Sequence, residues 1–431
     1  MGLFGDKRRA VIVGGMRTPF VKSFTDLMEL DTIALGVAAS SALLRKLDLP
    51  RREIDAFVWG GVVLPPLSVN IGREIVLDLG LPSSVDGMTV TRACASGLQA
   101  ITSAVAAIER GDVDVVVAGG SDSTSNAPIA FPSKVTRTIA PLALSGKATA
   151  QDVLGALAQL MPLSDILPRQ PRVAERTTGE VMGESAERMA QRNEISRMAQ
   201  DEFALRSHKR AAKAIAAGRF DDEVTKIETP TGFVHVDGLV RADTSLDKLS
   251  KLKPVFAKGG TITAGNATPL TDGAAAVVLM SEEKARALGY RPLAAFRSWS
   301  YVAVDPADQL LIGPAIAVPR ALERAGMSLA DIDLVDMHEA FAAQVLSVLK
   351  MLASQAFARE RLGRDQAVGE IHPDKLNVYG GSIAIGHPFA ATGARMVTTM
   401  ANELARSQRS TALLGICAAG GLGAAAILER V

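Results

Sequence analysis

Apolar and polar positions alternate with two different periods along the chain, and the switches between them mark the elements. Residues 10–14 form a short apolar run that reads as a strand. Residues 32–47 carry apolar side chains at helical spacing and stop before Leu49-Pro50, which predicts an amphipathic helix. The run 54–61 reads as a buried strand, 87–90 as a strand end, 96–108 as a helix and 114–119 as another strand. Strands that alternate with helices imply a largely parallel sheet covered on both faces.

From about 127 to 260 the pattern changes. Pro128, Pro132, Pro141, Pro162, Pro168 and Pro171 break up an apolar, irregular stretch that turns helical over 183–218, with Gly218 as the stop. This reads as an insertion, 127–260. Within it, 139–167 holds a mildly amphipathic helix at 148–160. That piece is either a lid packed on the body or a docking face for a partner or a membrane surface, in the latter case peripheral only. Residues 261–268 read as a return to sheet character, followed by a turn at Asp272-Gly273 and a strand over 274–280.

The rest of the chain repeats the first unit. Ile-Asp opens a strand twice, as Ile54-Asp55 and Ile332-Asp333, and the run 115–120 is answered by 413–418. Between these anchors the helix at 96–108 corresponds to 386–404, with an insertion near 349–374 absorbing the unequal spacing. The expected organisation is two α/β halves, 1–126 plus 261–284 and 285–431, with 127–260 inserted in the first. In such sheets ligands bind at the carboxyl ends of strands.

Composition narrows the classes. The 47 basic and 46 acidic residues nearly cancel, and 48% of the chain is apolar, which disfavours a nucleic-acid binder or a disordered chain. Two cysteines, Cys94 and Cys417, are too few for a disulfide framework and suggest a reducing compartment. Met1 to Asp6 resembles a myristoylation start but has Asp6 where a hydroxyl residue is wanted, and no peroxisomal address ends the chain. No apolar run is long enough to span a bilayer, so a cytoplasmic protein is expected.

Cys94 falls where strand gives way to helix. Unpaired N–H groups and the helix dipole there favour thiolate over thiol, although a lone cysteine is also a common buried hydrophobe. His338 follows the strand that Ile332 opens; His387 lies in the glycine-rich Gly380-Gly381-Ser382-Ile383-Ala384-Ile385-Gly386-His387-Pro388; Cys417 ends a strand before Gly420-Gly421. Two cysteines and two histidines, all at element ends of a duplicated sheet, suggest one constellation. A zinc site is a rival reading, weakened because such ligands usually come in close pairs. The match of Gly421-Leu422-Gly423-Ala424-Ala425-Ala426 to a dinucleotide motif lacks the required βαβ unit and later acidic residue. No metal and no permanently bound cofactor is expected.

These blocks resemble the thiolase family, and within it the 3-ketoacyl-CoA thiolases of fatty-acid β-oxidation, over nearly the whole chain. The resemblance implies a duplicated α/β fold with α-β-α-β-α layers and mostly parallel sheets, and the insertion as a CoA-binding loop domain. It implies Cys94 as the acyl-accepting cysteine, His387 as the histidine of the G-H-P motif and Cys417 as the second catalytic cysteine. His338 stands where many thiolases carry Asn; the His338-Glu339-Ala340-Phe341 form is similar to the β-subunit type that works beside a hydratase/dehydrogenase α-subunit. Met182, Arg241, Lys248, Thr268, Phe341 and Ala419 fall where the family contacts CoA or substrate. Implied substrates are acyl-CoA and CoA, and the implied assembly is a homodimer or homotetramer. Val181 replaces a His common in biosynthetic members, and Ala390 a common Gly. Two other readings stay open: biosynthetic acetoacetyl-CoA condensation, and a non-catalytic acyl-CoA-binding scaffold.

Overall fold

The structure, a computed structural model, describes residues 8–162, 164, 166–168, 173–230 and 232–431; Met1 to Asp6 and Pro171 lie outside the described residues. In chain order the strands are β1 (Ala10–Arg17), β2 (Val21–Lys22), β3 (Ala56–Gly60), β4 (Asp86–Val90), β5 (Val115–Asp122), β6 (Ile227–Thr229), β7 (Gly232–Val234), β8 (Thr271–Ser281), β9 (Ala294–Ala303), β10 (Leu334–Met337), β11 (Thr411–Ala418) and β12 (Leu422–Arg430).

The main path runs β10-β11-β12-β9-β1-β8-β5-β3-β4. Its two halves meet at β1 and β9 through only two residue pairs, Val11↔Ala295 and Ile12↔Ala294. In the first half β4, β3, β5 and β1 share one direction and β8 alone opposes them. In the second, β10, β11 and β9 agree and β12 opposes. Each half is thus mostly parallel by strand direction, with one reversed strand that makes the sheet mixed.

Three apolar clusters give the layers. The helices Thr32–Leu47 and Ile71–Asp78 cover the outer face of the first half. Between the two halves lie Ser96–Arg110 and Ala391–Arg406, whose Leu98, Ile101, Val105, Met396, Val397 and Met400 pack against strand faces from both sides. Pro314–Ala325 and Ala342–Leu352 cover the outer face of the second half. The order is therefore α-β-α-β-α, and the two central helices are the repeated pair expected from 96–108 and 386–404.

The repeat persists in side-chain detail. Asp55 accepts from the backbone N–H groups of Asp114 and Val115 at 2.8 and 2.9 Å, tying β3 to β5. Asp333 does the same for Ser410 and Thr411 at 2.7 and 3.2 Å, tying β10 to β11. One carboxylate at each strand entry thus fixes register in both halves.

Two expectations need correction. Residues 261–268 form no strand, and Asp272-Gly273 is not a turn but lies within β8, which is buried along its whole length. Asp272 is a buried acceptor there, taking hydrogen bonds from Ser125 N–H at 3.1 Å and Thr124 Oγ1 at 3.2 Å. Gly273 is required because a Cβ would stand 2.5 Å from the Phe20 ring. The dipeptide follows packing rather than turn chemistry.

The stretch 127–260 divides. Residues Ala127–Val173 form a compact unit of their own, whereas 174–260 belong to the main unit. The small unit holds the helices Ser133–Ser145 and Ala150–Gln159, the second opened by a capping box in which Thr149 N–H donates to Asp152 Oδ2 at 2.8 Å. Ile129, Phe131, Leu144, Leu154 and Leu157 are exposed on it. In the main unit, Met182–Arg192 and Arg197–Ala216 pack through Ala186, Met189, Phe203 and Ala204 into the second-half cluster. No helix among the described residues is long and apolar enough to cross a membrane.

Candidate active site

Cys94 lies between β4 and the helix Ser96–Arg110. Ala93 before it holds φ +44°, a left-handed backbone that costs a residue with a Cβ on the order of 1–3 kcal/mol. Ser96 braces this elbow, its Oγ accepting from Arg92 N–H at 2.7 Å and donating to the Ala93 carbonyl at 2.6 Å. Asn377 (φ +46°) and Phe389 (φ +21°), near the two histidines in sequence or contact, share this strained backbone. Such strain persists only where the surroundings over-determine it.

His338 follows β10 directly and is 0% exposed; its Nδ1 shares a 2.8 Å hydrogen bond with Ser382 Oγ. His387, 4% exposed, precedes the helix Ala391–Arg406. Its Nδ1 shares a 2.5 Å bond with Thr392 Oγ1, and its backbone N–H donates to Thr271 Oγ1 at 3.1 Å. The two imidazole centroids stand 4.1 Å apart. The Cys94 sulfur and one ring nitrogen of each histidine lie within 4.8 Å of one another. With both Nδ1 atoms engaged, the free ring nitrogens are the Nε2 atoms, neither of which has a hydrogen-bond partner among the described residues.

Cys417, 1% exposed, is the penultimate residue of β11. Its thiol is pushed well above the usual range by burial and then by the neighbouring Cys94. Three of the four residues chosen from sequence therefore converge, and the fourth lies within electrostatic reach.

The surroundings of Cys94 oppose the expected thiolate. Burial pushes the Cys94 thiol up to about 12, outweighing the backbone N–H groups of Ala419 and of Cys94 itself, which favour the anion. Desolvation thus opposes the N–H groups and the helix N-terminus that favour the anion. Burial also holds His387 down at about 3, with the Arg395 guanidinium adding to it. His338 is lowered well below its ordinary value by burial, then His387, then Arg395. All three shifts favour the neutral forms of the thiol and the imidazoles.

Sequence reasoning misses the residues that hold this arrangement. Asp122, buried at the end of β5, accepts from Val62 and Val63 N–H at 3.0 and 2.5 Å, and from Ala390 N–H at 2.8 Å. It joins the strand end to the segment carrying His387. Burial raises its carboxyl to about 7, against those N–H groups and with help from Asp272. Glu339 is held by Ser207 Oγ at 2.7 Å, Asn377 Nδ2 at 2.6 Å and Ile383 N–H at 3.1 Å. Arg395 and Asp336 form a buried 2.6 Å ion pair that links the His387 helix to the strand leading into His338. A carboxylate ending the apolar run of β5 was the one available signal for Asp122; Ser382, Thr392 and Arg395 had none.

The residues expected to contact CoA are scattered. Thr268 Oγ1 donates at 2.8 Å to the carbonyl of Ser382, the residue whose hydroxyl pairs with His338. Phe341 is buried and packs edge-on to Phe256 at 5.9 Å, and Met182 starts its helix beside the same cluster. Ala419 directs its N–H at Cys94. Arg241 and Lys248 are exposed, Lys248 pairing with Asp243 at 2.5 Å, and among the described contacts neither reaches the cysteine and histidines.

Two family descriptions match the chain: "Thiolase, N-terminal domain" over residues 10–283 and "Thiolase, C-terminal domain" over 290–430. The chain belongs to the thiolase family. It is 47% identical over 424 residues to a protein of Pseudoalteromonas translucida (strain TAC 125) named 3-ketoacyl-CoA thiolase, covering 98% of this chain and 97% of that one. A protein of Yersinia pestis (strain Pestoides F) with the same name is 48% identical with the same coverage. Among solved structures, the Bacillus anthracis acetyl-CoA acetyltransferase superposes with a TM-score of 0.82 at 33% identity, covering 99% of both chains. Human mitochondrial 3-ketoacyl-CoA thiolase gives 0.82 at 30% identity, covering 98% of this chain and 99% of that one.

Against the thiolase pattern, both departures are accommodated. Ala390 has an ordinary helical backbone, φ −65°, so no glycine is needed there. Room for its carbonyl comes instead from Gly97 and Gly120, where an added Cβ would stand 2.2 and 2.5 Å from that oxygen. Val181 serves as the N-cap of Met182–Arg192, with its N–H donating to Glu184 Oε2 at 2.8 Å.

Proposed function

We propose that this protein catalyses CoA-dependent thiolysis of 3-ketoacyl-CoA, releasing acetyl-CoA and an acyl-CoA shortened by two carbons. The observation that carries the reading is the convergence of the Cys94 sulfur with the histidine nitrogens within 4.8 Å in a thiolase chain. His387 Nε2 takes the Cys94 proton as the sulfur attacks the 3-keto carbon. Collapse of the tetrahedral adduct breaks the bond between the α and β carbons and expels the acetyl-CoA enolate, which Cys417 protonates. Free CoA then attacks acyl-Cys94; the proton of its thiol restores Cys417, the proton held on His387 returns to the departing Cys94 sulfur, and the shortened acyl-CoA leaves.

Donors are matched to charge. The N–H groups of Cys94 and Ala419 hold the tetrahedral oxyanion, and the Nε2 atoms of His338 and His387 receive the enolate oxygen. Losing one such donor typically costs about a hundredfold to a thousandfold in rate. The shifts favour a neutral thiol and neutral imidazoles and so oppose charge separation, which becomes easier once substrate supplies an oxyanion for these donors.

Acyl-CoA and CoA are substrates, and no permanently bound cofactor takes part. The assembly is a homodimer or a homotetramer, a reading supported by β4, the outermost strand of the path, with Met88 exposed on it. Partnership with a hydratase/dehydrogenase α-subunit, and a cytoplasmic setting, follow from the likeness at His338-Glu339 and from the two unpaired cysteines. The decisive assay is CoA-dependent loss of 3-ketoacyl-CoA absorbance across chain lengths. Turnover of longer chains is expected; activity on acetoacetyl-CoA alone would favour the biosynthetic reading, and none at any length would leave a binding scaffold.

A further inference from the structure

The three converging donors have a second chemistry. We infer that Cys94, His338 and His387 form a binding site for a thiophilic divalent cation of the zinc class, which occupies the position of the acyl group and holds the enzyme inactive. The cation site stands on the donor geometry; only its effect on turnover rests on the thiolysis reading.

Zinc binds sulfur at about 2.3 Å and imidazole nitrogen at about 2.0–2.1 Å, so donors sharing one tetrahedral ion stand about 3.3–3.6 Å apart. The three atoms here lie within 4.8 Å of one another, so the side chains must draw together by up to about 1.5 Å to share an ion. Both Nε2 atoms are buried and have no hydrogen-bond partner among the described residues. Each Nδ1 is fixed by a hydroxyl, Ser382 at 2.8 Å and Thr392 at 2.5 Å, the outer-shell contact that orients a metal-ligating histidine. Two nitrogens and one sulfur, with a fourth position left open, make the donor set of an exchangeable rather than a structural zinc site. Binding breaks the S–H bond, and the proton goes to solvent.

The identity of residue 338 decides the strength of the site. With the Asn that many thiolases carry, one thiol and one imidazole would remain; His338 supplies the third donor. The objection that zinc ligands come in close sequence pairs fails here because the duplicated sheet brings three distant loops to one point.

Cobalt(II) is the probe. Added to chelator-stripped enzyme, one equivalent should give a thiolate-to-cobalt charge-transfer band and the intense visible bands of a four-coordinate ion, both abolished by one equivalent of zinc. Alkylating Cys94 in the unmutated protein should remove the charge-transfer band, as should Cys94→Ser. His338→Asn should weaken cobalt binding by at least about tenfold. Zinc should inhibit thiolysis competitively with 3-ketoacyl-CoA, and a chelator should restore the rate. Absence of the band in active enzyme, its survival after Cys94 alkylation, or equal affinity in His338→Asn would each overturn the cation site. A cobalt band in a protein without thiolysis would uphold the site and remove the thiolysis reading instead.

Discussion

Gly97→Ala tests whether the contact between the two central helices sets the catalytic geometry. A methyl group at position 97 would stand 2.2 Å from the Ala390 carbonyl oxygen and 3.2 Å from Ala394 N. Both neighbours are backbone, and Ala390 is tethered to Asp122 at 2.8 Å, so neither yields as a flexible side chain would. Restoring an ordinary contact requires the helices Ser96–Arg110 and Ala391–Arg406 to part by roughly 1 Å. Alanine in place of glycine gains about 1 kcal/mol of helix propensity, but overpacking of this kind costs about 1–3 kcal/mol or more, so the clash wins. The displacement falls between Cys94, two residues before one helix, and His387, four residues before the other, and a misplacement of about 1 Å costs on the order of a hundredfold in rate. The assay is thiolysis kcat beside the urea midpoint. Gly155→Ala is the control, since nothing lies within 4 Å of its added Cβ; it should leave kcat unchanged and stability equal or higher. Wild-type turnover and stability in Gly97→Ala would refute the argument that this contact positions the pair.

Further predictions concern the groups around the cysteines. Asp122→Asn places an amide against either the Ala390 or the Val62 and Val63 N–H groups, so kcat should fall; with the nearby charge gone, alkylation of Cys94 should begin at lower pH, which a purely structural role would not cause. The Asp122 carboxyl is raised to about 7 in the fold, so the stability it contributes is present in acid and lost as pH rises towards 7; the loss, about 4 kcal/mol at most, should be missing from the pH dependence of the variant's urea midpoint. Cys417→Ala should block cleavage and α-proton exchange while leaving Cys94 open to acylation by a simple acyl-CoA, read by mass spectrometry; near-normal cleavage would make Cys417 structural. Glu339→Gln sets an amide N–H against one of three donors and should cost about 1–3 kcal/mol by thermal unfolding, with an unchanged midpoint counting against the brace.

The sequence was informative where a local rule and the packing agree. Thr32–Leu47 is a helix with the boundaries its apolar spacing predicts, opened by Asp31, whose side chain accepts from Ala34 N–H at 2.8 Å. The Ile-Asp repeat was legible because one carboxylate performs the same task at both strand entries. Asp272-Gly273 misled because a buried strand imposed an environment that turn preferences do not describe. The four chemical residues could be chosen from their places at element ends, but the partners that orient them could not. Thr392 is five positions from His387 and Ser382 forty-four from His338, and a hydroxyl carries no sign of which it will serve.

The thiol's protonation state was the least legible property, and it bears most directly on mechanism. A helix N-terminus acts locally and can be seen in sequence; desolvation is a sum over everything packed around the site. Here that sum includes strand faces from both halves, and it reverses the expected sign for Cys94 while lowering both histidines. The Arg395–Asp336 pair adds to it from beneath. Its carboxylate lies two residues before His338 and its guanidinium three after Thr392, so one ion pair fixes both imidazole-bearing segments and opposes a proton on either ring. A protein that had to keep a thiolate ready would place a cation beside the sulfur. This one sets the Arg395 charge against a proton on either imidazole, so an oxyanion bound in the cleft would favour proton transfer from Cys94.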